Sequence, residues 1–99
     1  MIYEIAKITL KPGMEDDFER GVAQAVQLFQ RAKGCLGMEL HHVVERPLDY
    51  RLMIRWTTLE DHIVHFRGSE DFQAWRGLVG HCFATPPDVE HASVALAGF

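Results

Sequence analysis

The apolar stripe running from Met14 to Ala32 limits the possible folds of this chain more than any other feature. Met14, Phe18, Val22, Ala25, Val26 and Phe29 recur at three- and four-residue steps, which predicts one amphipathic helix. Glu15, Asp16 and Asp17 in its first turn, with Arg31 and Lys33 near its end, suit the helix dipole. Gly34 offers the left-handed C′ residue that stops it. A helix with one apolar face must lay that face on another element, and the flanking segments supply strands. Ile2 to Leu10 alternates, with Ile2, Ala6, Ile8 and Leu10 on one side and Tyr3 and Ile5 on the other. Lys11-Pro12-Gly13 then turns the chain.

Beyond the helix, Cys35 to Glu45 and Asp49 to Thr57 read as two strands of a hairpin linked through Arg46-Pro47-Leu48-Asp49. In the second of them Tyr50, Leu52, Ile54 and Trp56 alternate with Arg51, Met53, Arg55 and Thr57. Thr58 caps a helix from Leu59 to Arg67, with Asp61 three residues on in a capping-box-like arrangement. Ser69 caps another from Glu70 to Phe83, carrying Phe72, Trp75, Leu78, Val79 and Cys82. Pro86-Pro87 closes it, and Asp88 to Leu96 reads as a last strand. The order βαββαβ predicts a single α+β domain over residues 1–99: a ferredoxin-like antiparallel sheet with helices on one face. The first strand (Tyr3, Ile5), the third (Met53) and the last (Val94, Leu96) carry apolar residues on both faces. Helices cover only one, so the other is expected to pair with a second copy in a homodimer.

An apolar fraction of 47% in 99 residues supports a folded core rather than disorder. A net charge of −4 gives no basic field, which argues against nucleic acid and anionic membrane surfaces as partners. No apolar run approaches the roughly twenty residues a membrane span needs. MIYEIAKITL alternates and carries charge, so it reads as a strand rather than a signal peptide. Cys35 and Cys82 fall in no CxxC pattern, which points to free thiols in a cytoplasmic location.

Leu59 to Phe72, LEDHIVHFRGSEDF, carries the chemistry. His62 and His65 lie three residues apart, a spacing that shares one face of an α-helix. Imidazole is the side chain that titrates near neutral pH, so both are candidate general bases. His91 alternates with Val89 and Ser93 on the last strand and is expected to point into the same cavity. His41 and His42, adjacent on a strand, point to opposite faces, and His81 beside Cys82 reads as structural. His62, His65 and His91 are the one conceivable metal trio. No HExxH or Cys–His spacing accompanies them, so no metal is expected. Trp56, Phe29, Phe66, Phe72 and Trp75 read as core or as walls of a pocket for a small apolar or aromatic molecule. Arg51 and Arg55 read as partners for carboxylates across a dimer interface, ahead of an alternative reading as an anchor for an anionic ligand.

Taken in order, several pieces resemble the antibiotic biosynthesis monooxygenase (ABM) domain family of the dimeric α+β barrel superfamily. They are the opening strand with Lys11-Pro12-Gly13, helix residue Phe18, the Lys33-Gly34-Cys35-Leu36-Gly37 turn, and Glu45 ahead of Pro47. Trp56, the His65-Phe66…Ser69…Phe72 pattern and Val89-Glu90-His91 complete the set. The resemblance implies a dimeric α/β barrel. It further implies a cofactor-independent monooxygenase acting on a small aromatic or quinol-like substrate. His65 would be its base or orienting group, helped by His62 or His91. The same barrel would also serve a non-catalytic binding protein or a proton-transfer isomerase. Haem-degrading relatives carry a tryptophan at the place of His65, an asparagine at Ala6, and a haem-ligating histidine at or beside Trp75-Arg76. All three differ here, so the resemblance implies no haem or other cofactor.

Overall fold

Alternation in the first strand, β1 (Ile2–Thr9), sends Glu4, Ala6 and Ile8 to one side, and all three are buried there. The computed structural model describes residues 1–99. Helix α1 (Glu15–Gln30) lays Phe18, Gly21, Val22, Ala25, Leu28 and Phe29 on that side. Val26, expected in the stripe, is exposed, and Leu28 takes its place. The buried face is therefore centred one step away from Val26, along the line through Gly21, Val22 and Ala25. Gly21 lets helix α2 (Glu70–Val79) approach closely: a Cβ there would lie 2.9 Å from the Leu78 carbonyl oxygen and from Val79.

Gly34 is left-handed as expected, with φ +76°, but it is not the helix terminator. Helical geometry ends at Arg31, and Gly34 sits in the turn that enters β2 (Cys35–His42), with its α-carbon against the Asp61 carboxylate. No side chain fits there without displacing Asp61. Strand β2 is three residues shorter than expected, because Val43 to Arg46 turn the chain back and the Arg46 N–H donates to the Val43 carbonyl at 3.3 Å. It pairs with β3 (Asp49–Trp56), whose Tyr50, Leu52, Ile54 and Trp56 are all buried.

With a last strand β4 (Asp88–Ala92), the strands run in the order β2-β3-β1-β4, every neighbouring pair antiparallel, as a ferredoxin-like fold requires. Helices α1 and α2 (Glu70–Val79) cover one face, and a single core forms between them and the sheet around Phe18, Phe29, Trp56, Phe66 and Val79. Strand β4 (Asp88–Ala92) ends earlier than expected, leaving Val94 and Leu96 exposed outside it. Its register runs from Lys7↔Asp88 to Tyr3↔Ala92, so further residues would have almost no β1 left to pair with. The opposite sheet face carries Tyr3, Ile5, Arg51 and Met53, half-buried and without a helix over them. No helix is long and apolar enough to cross a membrane.

Candidate active site

Between β3 and α2 the chain does not form the expected α-helix. Thr58 Oγ1 accepts from the Asp61 N–H at 3.2 Å, as its capping role requires, but Asp61–Phe66 then winds as a π-helical turn. The Arg67 N–H donates to the His62 carbonyl, five residues back, at 3.0 Å. A π turn is wider than an α turn, so residues four and five apart line up rather than three. His62 therefore shares its face with Phe66 and is 2% exposed, while His65 is turned out to solvent. The shared face expected for the two histidines does not exist. His62, His65 and His91 accordingly do not converge, and no three His, Cys, Asp or Glu side chains are grouped to hold a metal ion.

His62 meets two other partners instead. Its Nε2 lies 3.2 Å from Glu4 Oε1, and its Nδ1 lies 2.8 Å from Nε2 of His91. Glu4 also accepts from the indole N–H of Trp56 at 2.9 Å. Glu4 and His91 are opposite residues in the β1–β4 ladder, so strand pairing alone points both towards the helices. Trp56 stacks on His62 with ring centres 5.3 Å apart and holds the imidazole plane. The result is a continuous chain, Trp56–Glu4–His62–His91, drawn from three strands and the π turn.

Burial decides its protonation. Removal from water pushes the Glu4 carboxyl up to about 7, against the opposing pull of the Trp56 hydrogen bond and the Arg67 charge. Burial lowers His62 to about 4, helped by Arg67 and then His91. His91 is lowered by burial and then by Arg67. Both members of the Glu4–His62 contact thus avoid charge, and it is a close polar contact rather than an ion pair. His62 Nδ1 and His91 Nε2 share a hydrogen bond that either ring can donate, according to tautomer.

These shifts predict an unusual pH response. Glu4 favours the folded state below about 4.5, and that contribution is lost as pH rises through about 7. His62 acts in the opposite sense: its contribution is present above about 6.5 and is lost as pH falls through about 4. The two slopes oppose each other in the wild type. Glu4→Gln removes the first alone, so the variant gains stability relative to wild type between pH 5 and pH 7. Urea unfolding at the two pH values measures it. A difference that stays level or falls removes the assignment of a raised Glu4.

Glu4 and His62 form the polar end of a cavity of about 530 Å³ between sheet and helices, in the size range of small-molecule sites. Leu52, Phe72, Trp75, Phe83 and Val89 give it apolar walls, and Arg67 and Arg76 also line it. Of the aromatic residues expected as walls, Phe72 and Trp75 hold that position. Trp56 stands behind Glu4, and Phe29 and Phe66 belong to the core, packed on each other at 4.8 Å. His41 and His42 are exposed and bond to Glu39 and the Pro47 carbonyl. Cys35 and Cys82 are free thiols. Sequence reasoning passed over Glu4, Arg67 and Arg76. For Glu4 a signal existed: a carboxylate in phase with Ala6 and Ile8 on an alternating strand.

Fold and site together define a small ferredoxin-like domain with a pocket that ends in a buried carboxyl–imidazole chain. Residues 1–78 match the family described as antibiotic biosynthesis monooxygenase, and the chain belongs to that family. A crystal structure from Bordetella bronchiseptica, provisionally assigned as an antibiotic biosynthesis monooxygenase, superposes with a TM-score of 0.95 at 55% identity, covering 96% of this chain and 97% of that one. The uncharacterized protein YczJ of Bacillus subtilis is 40% identical over 92 residues, 92% of this chain and 96% of its own length. A Caulobacter crescentus structure with the same provisional assignment shares the fold at 19% identity, with a TM-score of 0.83 over 96% of this chain and 90% of its own.

Proposed function

We propose that this protein is a cofactor-independent monooxygenase acting on a small aromatic or quinol-like molecule bound in the Glu4–His62 cavity. The observation that carries the reading is the buried Glu4–His62–His91 chain at the end of an aromatic-walled pocket. Such chemistry asks the protein for three things: a base with a pKa near the working pH, an apolar enclosure, and a route for the proton. Glu4, held near 7, is the base. His62 takes the proton on from it, and half-buried His91 connects the pair to the outside.

An anthrone-like methylene would be oxidised to a carbonyl. The site removes one C–H proton, and the resulting anion passes an electron to O2. A carbon–oxygen bond forms, and the peroxide collects a proton from the site. Loss of the second C–H proton then expels hydroxide as the O–O bond breaks. The carbon leaves as a carbonyl and the second oxygen as water. Arg67 supplies positive charge close to Glu4, where the anion develops.

The uncovered sheet face is assigned to a second copy of the chain. Tyr3, Met38, Met53 and Arg55 line a depression there, and the homodimer is tested by light scattering at micromolar concentration. For the activity, chelator-treated protein is incubated with hydroquinones, anthrones and catechols while oxygen is followed. Uptake above the autoxidation background is expected, undiminished in His65→Ala because that side chain faces solvent. No uptake across the panel sinks the reading.

A further inference from the structure

The arginines of this chain divide into two groups. Arg20, Arg31 and Arg46 form ion pairs with Asp17, Asp71 and Asp49. Arg51 and Arg55 donate to the backbone carbonyls of Tyr50 and Leu36. The guanidinium groups of the remaining two, Arg67 and Arg76, donate to no protein acceptor, and both residues line the one cavity that holds Glu4 and His62. Arg76 places its guanidinium 6.0 Å from the centre of the Phe72 ring, another wall residue. Glu4 is the single acidic side chain on that wall, and its carboxyl is already engaged by Trp56 and His62. In a chain with a net charge of −4, two guanidinium groups around one aromatic pocket, neither paired with a carboxylate in an ion pair, form a local excess of positive charge.

Resting on the reading of this cavity as the substrate site, we propose that its substrate is an aromatic carboxylate, with the carboxylate held by Arg67 and Arg76 and the ring by Phe72 and Trp75. A planar guanidinium matches a carboxylate through two parallel N–H donors, which a neutral quinol does not offer in return. The arrangement also ties binding to chemistry. Arg67 helps to keep His62 and His91 neutral, and a carboxylate seated on it offsets that charge. Both imidazoles then hold a proton more readily while substrate is present than in the empty site.

The test uses 2-naphthoate and its neutral counterpart 2-naphthamide, followed by tryptophan fluorescence, which reports through Trp75 on the cavity wall. Naphthoate is expected to bind about 10- to 100-fold more tightly, the range of a charge-assisted hydrogen bond. In R67Q/R76Q the two probes are expected to bind alike; both arginines are exposed, so the fold is spared. Equal affinity in the wild type, a preference that survives in the double variant, or no binding of either probe overturns the proposal. Because the readout is binding, it separates from the oxygen reaction. Preference for naphthoate without oxygen uptake supports the carboxylate site and leaves the monooxygenase reading to fail alone. Oxygen uptake with neutral quinols and no gain from a carboxylate does the reverse.

Discussion

Replacing His62 with glutamine is expected to lower kcat for oxygen uptake by about 10²–10⁴-fold, the range for loss of a positioned acid–base group. Glutamine keeps hydrogen-bonding atoms at both ends but cannot take up a proton, so the line from Glu4 to His91 is cut where it must carry charge. The walls at Phe72, Trp75 and Phe83 stay in place, and KM is expected to change little. That split between kcat and KM distinguishes a chemical role from a merely structural one. Thermal melting of the variant near the wild-type temperature completes the comparison. If kcat for the variant stays within a few-fold of wild type, His62 has only a structural role and the proton does not leave Glu4 through it.

The largest stability effect is expected at Trp56. Its ring is fully buried, stacks on His62, packs on Phe66 at 5.5 Å and donates to Glu4. Trp56→Ala is expected to cost about 3–5 kcal/mol, the range for truncating a buried aromatic residue. Domains of this kind have a total stability of about 5–15 kcal/mol, so a large part is lost. Urea unfolding at fixed protein concentration measures it, and a cost below about 1 kcal/mol would show that the site does not depend on this ring. Trp56→Phe keeps most of the packing and removes the donor. The indole N–H lowers Glu4 more than Arg67 does against its burial, so in Trp56→Phe the acidic limb of the pH–rate profile moves to higher pH.

The strands and the long helix were readable because each is set by local rules. Alternation from Tyr50 to Trp56 puts every second side chain in the core, and Pro12-Gly13 ends β1 where a turn is needed. Ser69 caps α2 through the Phe72 N–H, as its sequence position suggests. The site was harder to read because its geometry depends on two facts no local pattern carries. One is the π turn: His62 and His65 at three-residue spacing look like partners on any α-helical wheel, and only the wider winding separates them. The other is the pairing of β1 with β4, which brings Glu4 opposite His91 across most of the chain length. His91 could be placed facing inward by alternation, but its partner could not be named without the register. Val26 and the length of the last strand were misread for a related reason, since tertiary packing and the extent of β1 decide them.

Glu4, His62 and His91 come from the beginning, the middle and the far end of the fold, on β1, the π turn and β4. The pocket is therefore a clasp: it exists only when all three elements are docked, and any molecule that fills it fastens the last strand to the first. Saturation at a hundred times Kd would add about 2.7 kcal/mol to the stability of the whole domain. A rise in Tm with added compound is then a way to find the natural occupant without knowing its reaction. The five-residue strand β4, lightly held at the edge of the sheet, is where that fastening would first be felt, as slower amide exchange along Asp88–Ala92.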